Sequence, residues 1–284
     1  MSKIEIGKYN ELQVLRKVDF GYYLKGNDRT GDILLPNNEI DAENLAALEA
    51  GSDLLSVFIY LDQEERLIAT TRKPMAQVGD FAFLEVAWVN NYGAFLNWGL
   101  MKDLFVPFRE QKMKMQKGQG YIVHVHMDEE SYRIMASAKV ERYLSTERPP
   151  YNRGDEVDIL VWQKTDLGLK VIVDNQYQGL LYDDQVFRNV RTGDRTKAYI
   201  EWVRPDGKID LILQRKGQAA VRDFSYDLLD YLRQNNGHSV LGDKSSPEDI
   251  YAVFGVSKKV FKKAVGDLYK KRKITISEDG IRLV

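Results

Sequence analysis

The stretch Tyr92-Gly93-Ala94-Phe95-Leu96 decides the fold that we expect for this chain. It places a glycine between two aromatic residues on a short extended run, in which every second side chain points to the same face. Glycine has no Cβ and permits a bend or bulge where one sheet must curl into a small barrel. With such a bend, both rings would stand on the outer surface of the barrel, where a nucleobase can stack on them.

The same arrangement occurs twice more in the chain. Phe20-Gly21-Tyr22-Tyr23-Leu24 precedes it, and Leu167-Gly168-Leu169-Lys170-Val171 follows it in a degraded form. The glycines are 72 and 75 residues apart, which is too long for a solenoid repeat and fits three copies of one small domain. Short strands rich in β-branched and aromatic residues surround each copy, and turn residues separate them. This pattern predicts five-stranded barrels.

The C-terminal part of the chain has a different pattern. From about Ala219 the hydrophobic period changes from 2 to 3.6, which predicts helices. Ser246-Pro247 is a typical helix start, and Ser257 can cap a further helix that runs to about Tyr269. Glu278-Asp279-Gly280 lies between two short apolar runs and predicts a hairpin. Three helices followed by a hairpin are the layout of a winged helix-turn-helix.

The predicted fold class is therefore mainly β and multidomain: three tandem five-stranded OB-fold barrels, followed by an α+β winged helix. We place the domain limits at residues 1–74, 75–145, 151–216 and 219–284. The prolines of the segment from Ser145 to Pro150 favour an extended chain, so this segment reads as a stiff linker between the second and third barrels.

Composition excludes several classes of protein. The 284 residues are 44% hydrophobic and 29% charged, which is ordinary for a globular chain. The absence of cysteine excludes a disulfide framework, a thiolate zinc site and a thiol nucleophile. No apolar run approaches the length of a membrane span, and the N-terminus lacks a signal core, so we expect a cytoplasmic protein without a membrane partner. No phosphate-binding loop, dinucleotide motif or catalytic triad pattern is present, and we expect no enzymatic activity and no cofactor.

The net charge of −1 conceals an uneven distribution. Residues 1–75 contain 9 Lys and Arg against 13 Asp and Glu, whereas residues 217–284 contain 12 against 9. The chain as a whole does not attract polyanions from a distance. Affinity for nucleic acid must come from local basic patches and from stacking, and the C-terminal segment is electrostatically the best placed.

Two matched aromatic pairs are the candidate stacking residues: Phe20 and Tyr23, and Tyr92 and Phe95. The alternative is that these rings pack inside the barrels or against a neighbouring domain. The third copy has Leu167 and Lys170 at these places, so its platform is incomplete. Its aromatic residues lie elsewhere and fit a core equally well: Trp162, Tyr199 and Trp202.

A basic face on the last helix is the candidate for phosphate contacts, and its alternative is an ordinary solvated face. Its members are Lys258, Lys259, Lys262, Lys263, Lys270 and Arg272, and Lys112 and Lys114 would add contacts beside Tyr92. Lysines position a nucleic acid but do not read its sequence. The helix has no arginine or asparagine near its start, which argues against a sequence-specific operator binder.

His124 and His126 would share one face of a strand. A metal pair would need a third ligand, and no motif supplies one. We therefore interpret both as histidines on the surface of the sheet.

The run from Val78-Gly79-Asp80 to Ser137, with Tyr-Gly-Ala-Phe-Leu and Arg-Ile-Met-Ala-Ser, resembles the S1-type RNA-binding domain. Three such barrels followed by a winged helix resemble the bacterial conserved virulence factor B family, the YitL-like proteins. This resemblance covers essentially the whole chain. It implies an RNA-binding protein without catalytic activity that acts in post-transcriptional control of gene expression.

Carried over by position, the stacking aromatics of S1-type domains fall on the same four rings. The second arginine of the closing Arg-Ile-Arg-Leu-Ser pattern is replaced by Ile68 in the first copy and by Met135 in the second. Together with the acidic balance of residues 1–75, this departure makes the first barrel a candidate spacer or protein-contact module.

Our first hypothesis is thus a protein that binds single-stranded RNA with modest sequence specificity. The second is a DNA-binding transcription regulator that uses the winged helix, with the barrels for dimerisation or partner docking. A third is a scaffold that docks on ribosomal or RNA-processing proteins. Competition between duplex DNA and single-stranded RNA separates the first two hypotheses.

Overall fold

The computed structural model describes residues 4–182, 190–213, 218–277 and 279–284. It contains three closed five-stranded barrels followed by a helical region with a small three-stranded sheet. This architecture confirms the predicted fold class. The domain limits that we placed between these units stay a prediction. None of the helices in the described ranges is both long enough and apolar enough to cross a membrane.

The first barrel has five strands, one turn of 3-10 helix at Asn37–Glu39 and one α-helix. Its strands are β1 Tyr9–Val18, β2 Gly21–Leu24, β3 Ile33–Pro36, β4 Leu54–Leu61 and β5 Leu67–Thr70. The order around the barrel is β1-β2-β3-β5-β4, and the parallel pairing of β3 with β5 closes it. Helix α1, Ala42–Glu49, follows β3 and begins at Asp41, whose side chain accepts a hydrogen bond from the backbone N–H of Asn44.

The second and third barrels repeat this strand order. The second consists of β6 Phe81–Val89, β7 Gly93–Asn97, β8 Leu104–Pro107, β9 Gly120–Met127 and β10 Ile134–Ser137. The third consists of β11 Glu156–Thr165, β12 Gly168–Val173, β13 Tyr177–Tyr182, β14 Arg195–Val203 and β15 Ile209–Ile212.

Gly93 has a role different from the one that its sequence context predicts. The structure places no bulge there, because Gly93 pairs regularly with Pro107. Glycine is required for close approach: a Cβ would overlap the carbonyl oxygen of Val106 and lie 2.9 Å from the Cα of Pro107. Gly21 faces the carbonyl oxygen of Leu35 in the same way. In both barrels the second strand therefore needs glycine where it meets the end of the third strand.

Each barrel has a bulge in its first strand, and the third barrel has a further register shift in β14, between Ile200 and Trp202. The pairing register shifts after Val14 in β1, after Val86 in β6 and after Val161 in β11. A bulge inserts one extra residue and re-aims the side chains that follow it. The next paired residues face the second strand as three equivalent pairs: Arg16 with Tyr23, Trp88 with Phe95, and Gln163 with Lys170.

The first two barrels are packed directly on each other. Phe58 and Trp98 are buried in one hydrophobic cluster that spans both barrels, with their ring centroids 5.8 Å apart. The backbone N–H of Val78 also donates to the carbonyl of Gly7 at 2.8 Å. Side chains buried between the barrels fix their relative positions.

The second and third barrels are joined by a separate cluster that includes Phe81 and Trp162. The side chain of Asn175 reinforces this joint. Its Oδ1 accepts from the backbone N–H of Phe81 at 2.8 Å, and its Nδ2 donates to the carbonyl of Gly79 at 3.0 Å. The three barrels therefore form a packed series in the described part of the chain.

The C-terminal region confirms the predicted winged helix. Its elements are α2 Gln218–Gln234, β16 His238–Ser239, α3 Pro247–Phe254, α4 Lys258–Lys270, β17 Ile274–Ser277 and β18 Gly280–Leu283. Ser246 and Ser257 cap α3 and α4 through their side chains, as their positions predict. The short strand β16 pairs with β18 and was not predicted. Glu278 of the predicted hairpin turn lies outside the described residues.

Candidate nucleic-acid interface

The outer face of the second barrel carries a stack of three aromatic rings. Trp88 and Phe95 lie parallel, with centroids 3.7 Å apart and an interplanar angle of 3°. Phe105 packs against Phe95 at 4.9 Å. Phe95 is therefore covered by a ring on each of two sides and is only half-exposed. The rings that a ligand can reach are Trp88, which is 43% exposed, and Tyr92, which is 75% exposed.

Sequence reasoning missed Trp88. Strand alternation alone does not reveal that Trp88 stacks on Phe95, because the bulge after Val86 changes the facing of the residues that follow. Its indole Nε1 donates to Asp103 at 2.8 Å, which fixes the plane of the ring. A preorganised indole of this kind presents one open face for stacking.

The first barrel places Phe20 and Tyr23 close together, as their spacing predicts. Phe20 is 56% exposed, and the two rings meet edge to face at 6.4 Å. The guanidinium of Arg16 lies 4.3 Å from the centroid of the Tyr23 ring. This cation–π contact covers one face of Tyr23, so Phe20 is the more accessible ring of the pair.

The third barrel has Gln163 and Lys170 in place of the stacked rings. Trp162 is buried in the joint with the second barrel, which agrees with the core alternative for this residue. Trp202, in contrast, is 56% exposed on the β14 strand. The third barrel therefore lacks a paired platform at the position where the first two carry one.

A groove of about 630 Å³ lies between the aromatic stack and the first barrel. We call it the inter-barrel groove. Trp88 and Tyr92 line one side, and Gln63 and Glu65 of the β4–β5 turn line the other. Pockets that hold small ligands typically measure about 300–1,000 Å³. The groove is thus large enough for one or two planar groups.

The inter-barrel groove contains balanced charge. Lys102 donates from Nζ to the carbonyl of Asp62 at 2.7 Å, and burial lowers the pKa of this lysine. Arg133 forms an ion pair with Glu65. Asp103, the fourth charged residue of the lining, accepts from the indole of Trp88.

The basic residues of the winged helix divide into two groups. Lys258 donates to the carbonyl of Ser245 at 2.8 Å, and Lys262 pairs with Asp243 at 2.9 Å. The other predicted members of the face are exposed and form no ion pair with a residue that the structure describes: Lys259, Lys263, Lys270 and Arg272. Helix α4 therefore directs only part of its lysines freely into solvent.

The two lysines predicted beside the second-barrel platform also differ. Lys112 forms an ion pair with Glu141, and its Nζ lies 5.0 Å from the centroid of the Trp162 ring. It thus serves the joint between the second and third barrels. Lys114 is exposed and remains a candidate for a phosphate contact.

The interpretation of His124 as a surface histidine is wrong. Its side chain is buried, and its ring stacks on Tyr143 at 4.0 Å and lies 4.7 Å from Phe81. Burial, and then the neighbouring His126, lower the pKa of His124 to about 4. Its Nδ1 has no hydrogen-bond partner among the described residues, so a proton there would be poorly compensated.

Comparison with known protein families identifies two domains. Residues 6–72 match the S1 domain family, and residues 226–283 match the CvfB-like winged helix domain family. The S1 match falls on the first barrel, whereas the resemblance in the sequence rested mainly on the second. OB-type barrels and helix-turn-helix modules are architectures that bind nucleic acids.

Several relatives match almost the whole chain. The uncharacterized protein YitL of Bacillus subtilis is 30% identical over 278 residues, which cover 94% of this chain and 90% of the relative. Conserved virulence factor B of Staphylococcus aureus strain N315 is 24% identical over 290 residues, which cover 100% and 95%. The crystal structure of a multidomain protein with nucleic acid binding domains from Streptococcus pneumoniae TIGR4 is 24% identical, has a TM-score of 0.41 and covers 98% of each chain.

Proposed function

The chain belongs to the family of YitL and conserved virulence factor B, and from this premise we propose that it is a non-enzymatic RNA-binding protein that acts in post-transcriptional control of gene expression. Bases of single-stranded RNA stack on the outer faces of the first two barrels. Exposed lysines of helix α4 contact the phosphates.

The exposed indole of Trp88, together with Tyr92, carries this proposal. A fixed aromatic face on the outside of an OB-type barrel suits an unpaired base, because every base has a π-face. The same rings have no partner in the base-paired interior of a duplex, where the bases are already stacked. Single strands are therefore favoured over duplexes at this site.

Removing either accessible ring is expected to weaken RNA binding. Trp88→Ala and Tyr92→Ala should each reduce the free energy of RNA binding by about 1–3 kcal/mol per stacked base. Fluorescence anisotropy of a labelled single-stranded oligoribonucleotide measures the affinities. The matched control is Tyr226→Ala, which removes a tyrosine that is 65% exposed in helix α2. Equal affinities of all three variants and the unmodified protein would rule out stacking on the second barrel.

Reversing the free lysines of α4 should change the salt dependence of binding. In the variant with Lys259, Lys263 and Lys270 changed to Glu, three phosphate contacts are lost. The slope of log affinity against log salt concentration is negative, and each contact to a single strand contributes about −0.7 to it. Without three contacts, the slope should become less steep by about 2. Affinity at low salt should fall by at least about tenfold.

The control for this triple variant has the same net charge. Lys25, Lys73 and Lys208 are exposed and lie outside α4, and they are changed to Glu together. A fall in slope of the same size in both triple variants would show that net charge, and not the α4 face, governs binding.

A second candidate function is DNA-binding transcription regulation, with the barrels for dimerisation or partner docking. The winged-helix match and the lysines on its third helix favour it. Competition between duplex DNA and single-stranded RNA for one preparation distinguishes the two functions. Preferential displacement by duplex DNA would support the second candidate.

A further inference from the structure

Trp88 and Tyr92 of the second barrel line the same groove as a turn of the first barrel. The β4–β5 turn of the first barrel forms the opposite side of the inter-barrel groove, which brings Gln63 into the same lining as Trp88 and Tyr92. A ligand that stacks on these rings therefore meets the turn as well.

The turn is held in place on the second barrel. The carbonyl of Asp62 accepts from Nζ of Lys102, in the second barrel, at 2.7 Å. Within the turn, the carboxylate of Asp62 accepts from Arg66 at 2.8 Å. The ion pair between Glu65 and Arg133 is a second connection between the turn and the second barrel. A wall fixed by these contacts can position a recognition group without first having to be ordered.

The charges of the groove select for a neutral group. Its two cations, Lys102 and Arg133, are matched by the two anions Glu65 and Asp103. A phosphate would meet both signs of charge at close range, whereas an uncharged heteroaromatic ring would meet an apolar stacking face and polar edges. The phosphates of the ligand then remain outside the groove.

Gln63 is the polar side chain suited to form hydrogen bonds with the edge of such a ring. It is exposed in the groove and makes no hydrogen bond within the described residues. A carboxamide carries two donor hydrogens and an acceptor oxygen, so it can pair with the edge of a base.

We propose that the inter-barrel groove binds one unpaired nucleobase, stacked on Trp88 or Tyr92, and that Gln63 of the first barrel contacts the edge of that base. This inference rests on the proposed RNA-binding function. It assigns the first barrel a direct part in recognition through its turn, in contrast to a spacer role.

The test compares four labelled eight-residue homo-oligoribonucleotides, of A, C, G and U, at one salt concentration. In the full-length protein, Gln63→Ala is expected to lower the affinity for the preferred oligonucleotide about tenfold. The affinities for the four oligonucleotides should then differ less from one another. Trp88→Ala should weaken all four. The control Gln13→Ala removes an exposed carboxamide of the same barrel outside the groove and should match the unmodified protein.

The outcomes separate this inference from the function beneath it. If Trp88→Ala weakens binding and Gln63→Ala leaves both affinity and ranking unchanged, the reader role of the turn is overturned while RNA binding stands. If Gln63→Ala, Trp88→Ala and Tyr92→Ala all leave the binding of RNA unchanged, the groove is not the site. An unmodified protein that binds none of the four oligonucleotides would overturn the proposed function itself. Equal melting temperatures of the variants establish that the fold is intact.

Discussion

Replacing Gly93 with alanine is expected to destabilise the second barrel by about 3 kcal/mol. The added Cβ would overlap the carbonyl oxygen of Val106 and lie 2.9 Å from the Cα of Pro107, so it meets backbone that cannot rotate away. Relief requires β7 and β8 to separate, which breaks their pairing beside the aromatic stack. Urea denaturation followed by tryptophan fluorescence measures the effect, because Trp88 and Trp98 both belong to this barrel.

Two other glycines provide controls with different expected results. Gly118→Ala has open space around the new Cβ but a φ of +77°, which costs about 1 kcal/mol. Gly266→Ala lies in helix α4, also with open space, and should stabilise the winged helix by about 1 kcal/mol. Circular dichroism measures this effect, because the four tryptophans all lie in the barrels. A Gly93→Ala variant as stable as Gly118→Ala would contradict the close-approach explanation.

Acidification is expected to destabilise the protein through His124. The ordinary pKa of histidine is about 6.5, and burial lowers the pKa of His124 in the folded chain to about 4. Between these values the unfolded chain binds a proton that the folded chain does not. The stability contributed by neutral His124 is therefore complete above pH 6.5 and is lost as the pH falls towards 4, by about 3 kcal/mol in total.

The variant His124→Phe tests this pH dependence. Phenylalanine keeps a ring between Phe81 and Tyr143 but does not titrate, so its unfolding free energy should fall about 3 kcal/mol less between pH 7 and pH 4. NMR titration gives an independent measurement, since the chain has only three histidines and single substitutions assign their resonances. Parallel stability curves for both proteins would contradict the assignment.

Local pattern was sufficient to predict the fold. The strand 54–61 and the strand beginning at Gly21 follow directly from alternation and from turn residues, and the serine caps of α3 and α4 follow from helix-end chemistry. Each of these features depends on residues within about ten positions. The repeat of the glycine motif then supplied the number of barrels.

The candidate site was less predictable, because its geometry depends on contacts between distant segments. Trp88 becomes part of the stack only through the pairing register of β6 with β7. His124 is buried by Tyr143, and Lys112 is engaged by Glu141 and Trp162. A single sequence shows which side chains are charged or aromatic. It does not show which of them are buried or paired by contacts with a distant segment or a neighbouring barrel.

In each barrel, the bulge of the first strand places a pair of side chains on the outer face, apart from the core residues that close the barrel. The pair that follows it lies on the outer face, so its identity is free to change while the closed core beneath stays the same. At this equivalent position the first barrel has an arginine on a tyrosine, the second an indole on a phenyl ring, and the third a glutamine beside a lysine. A scaffold duplicated in tandem can thereby diversify what it recognises along its length, copy by copy, without any redesign of its interior.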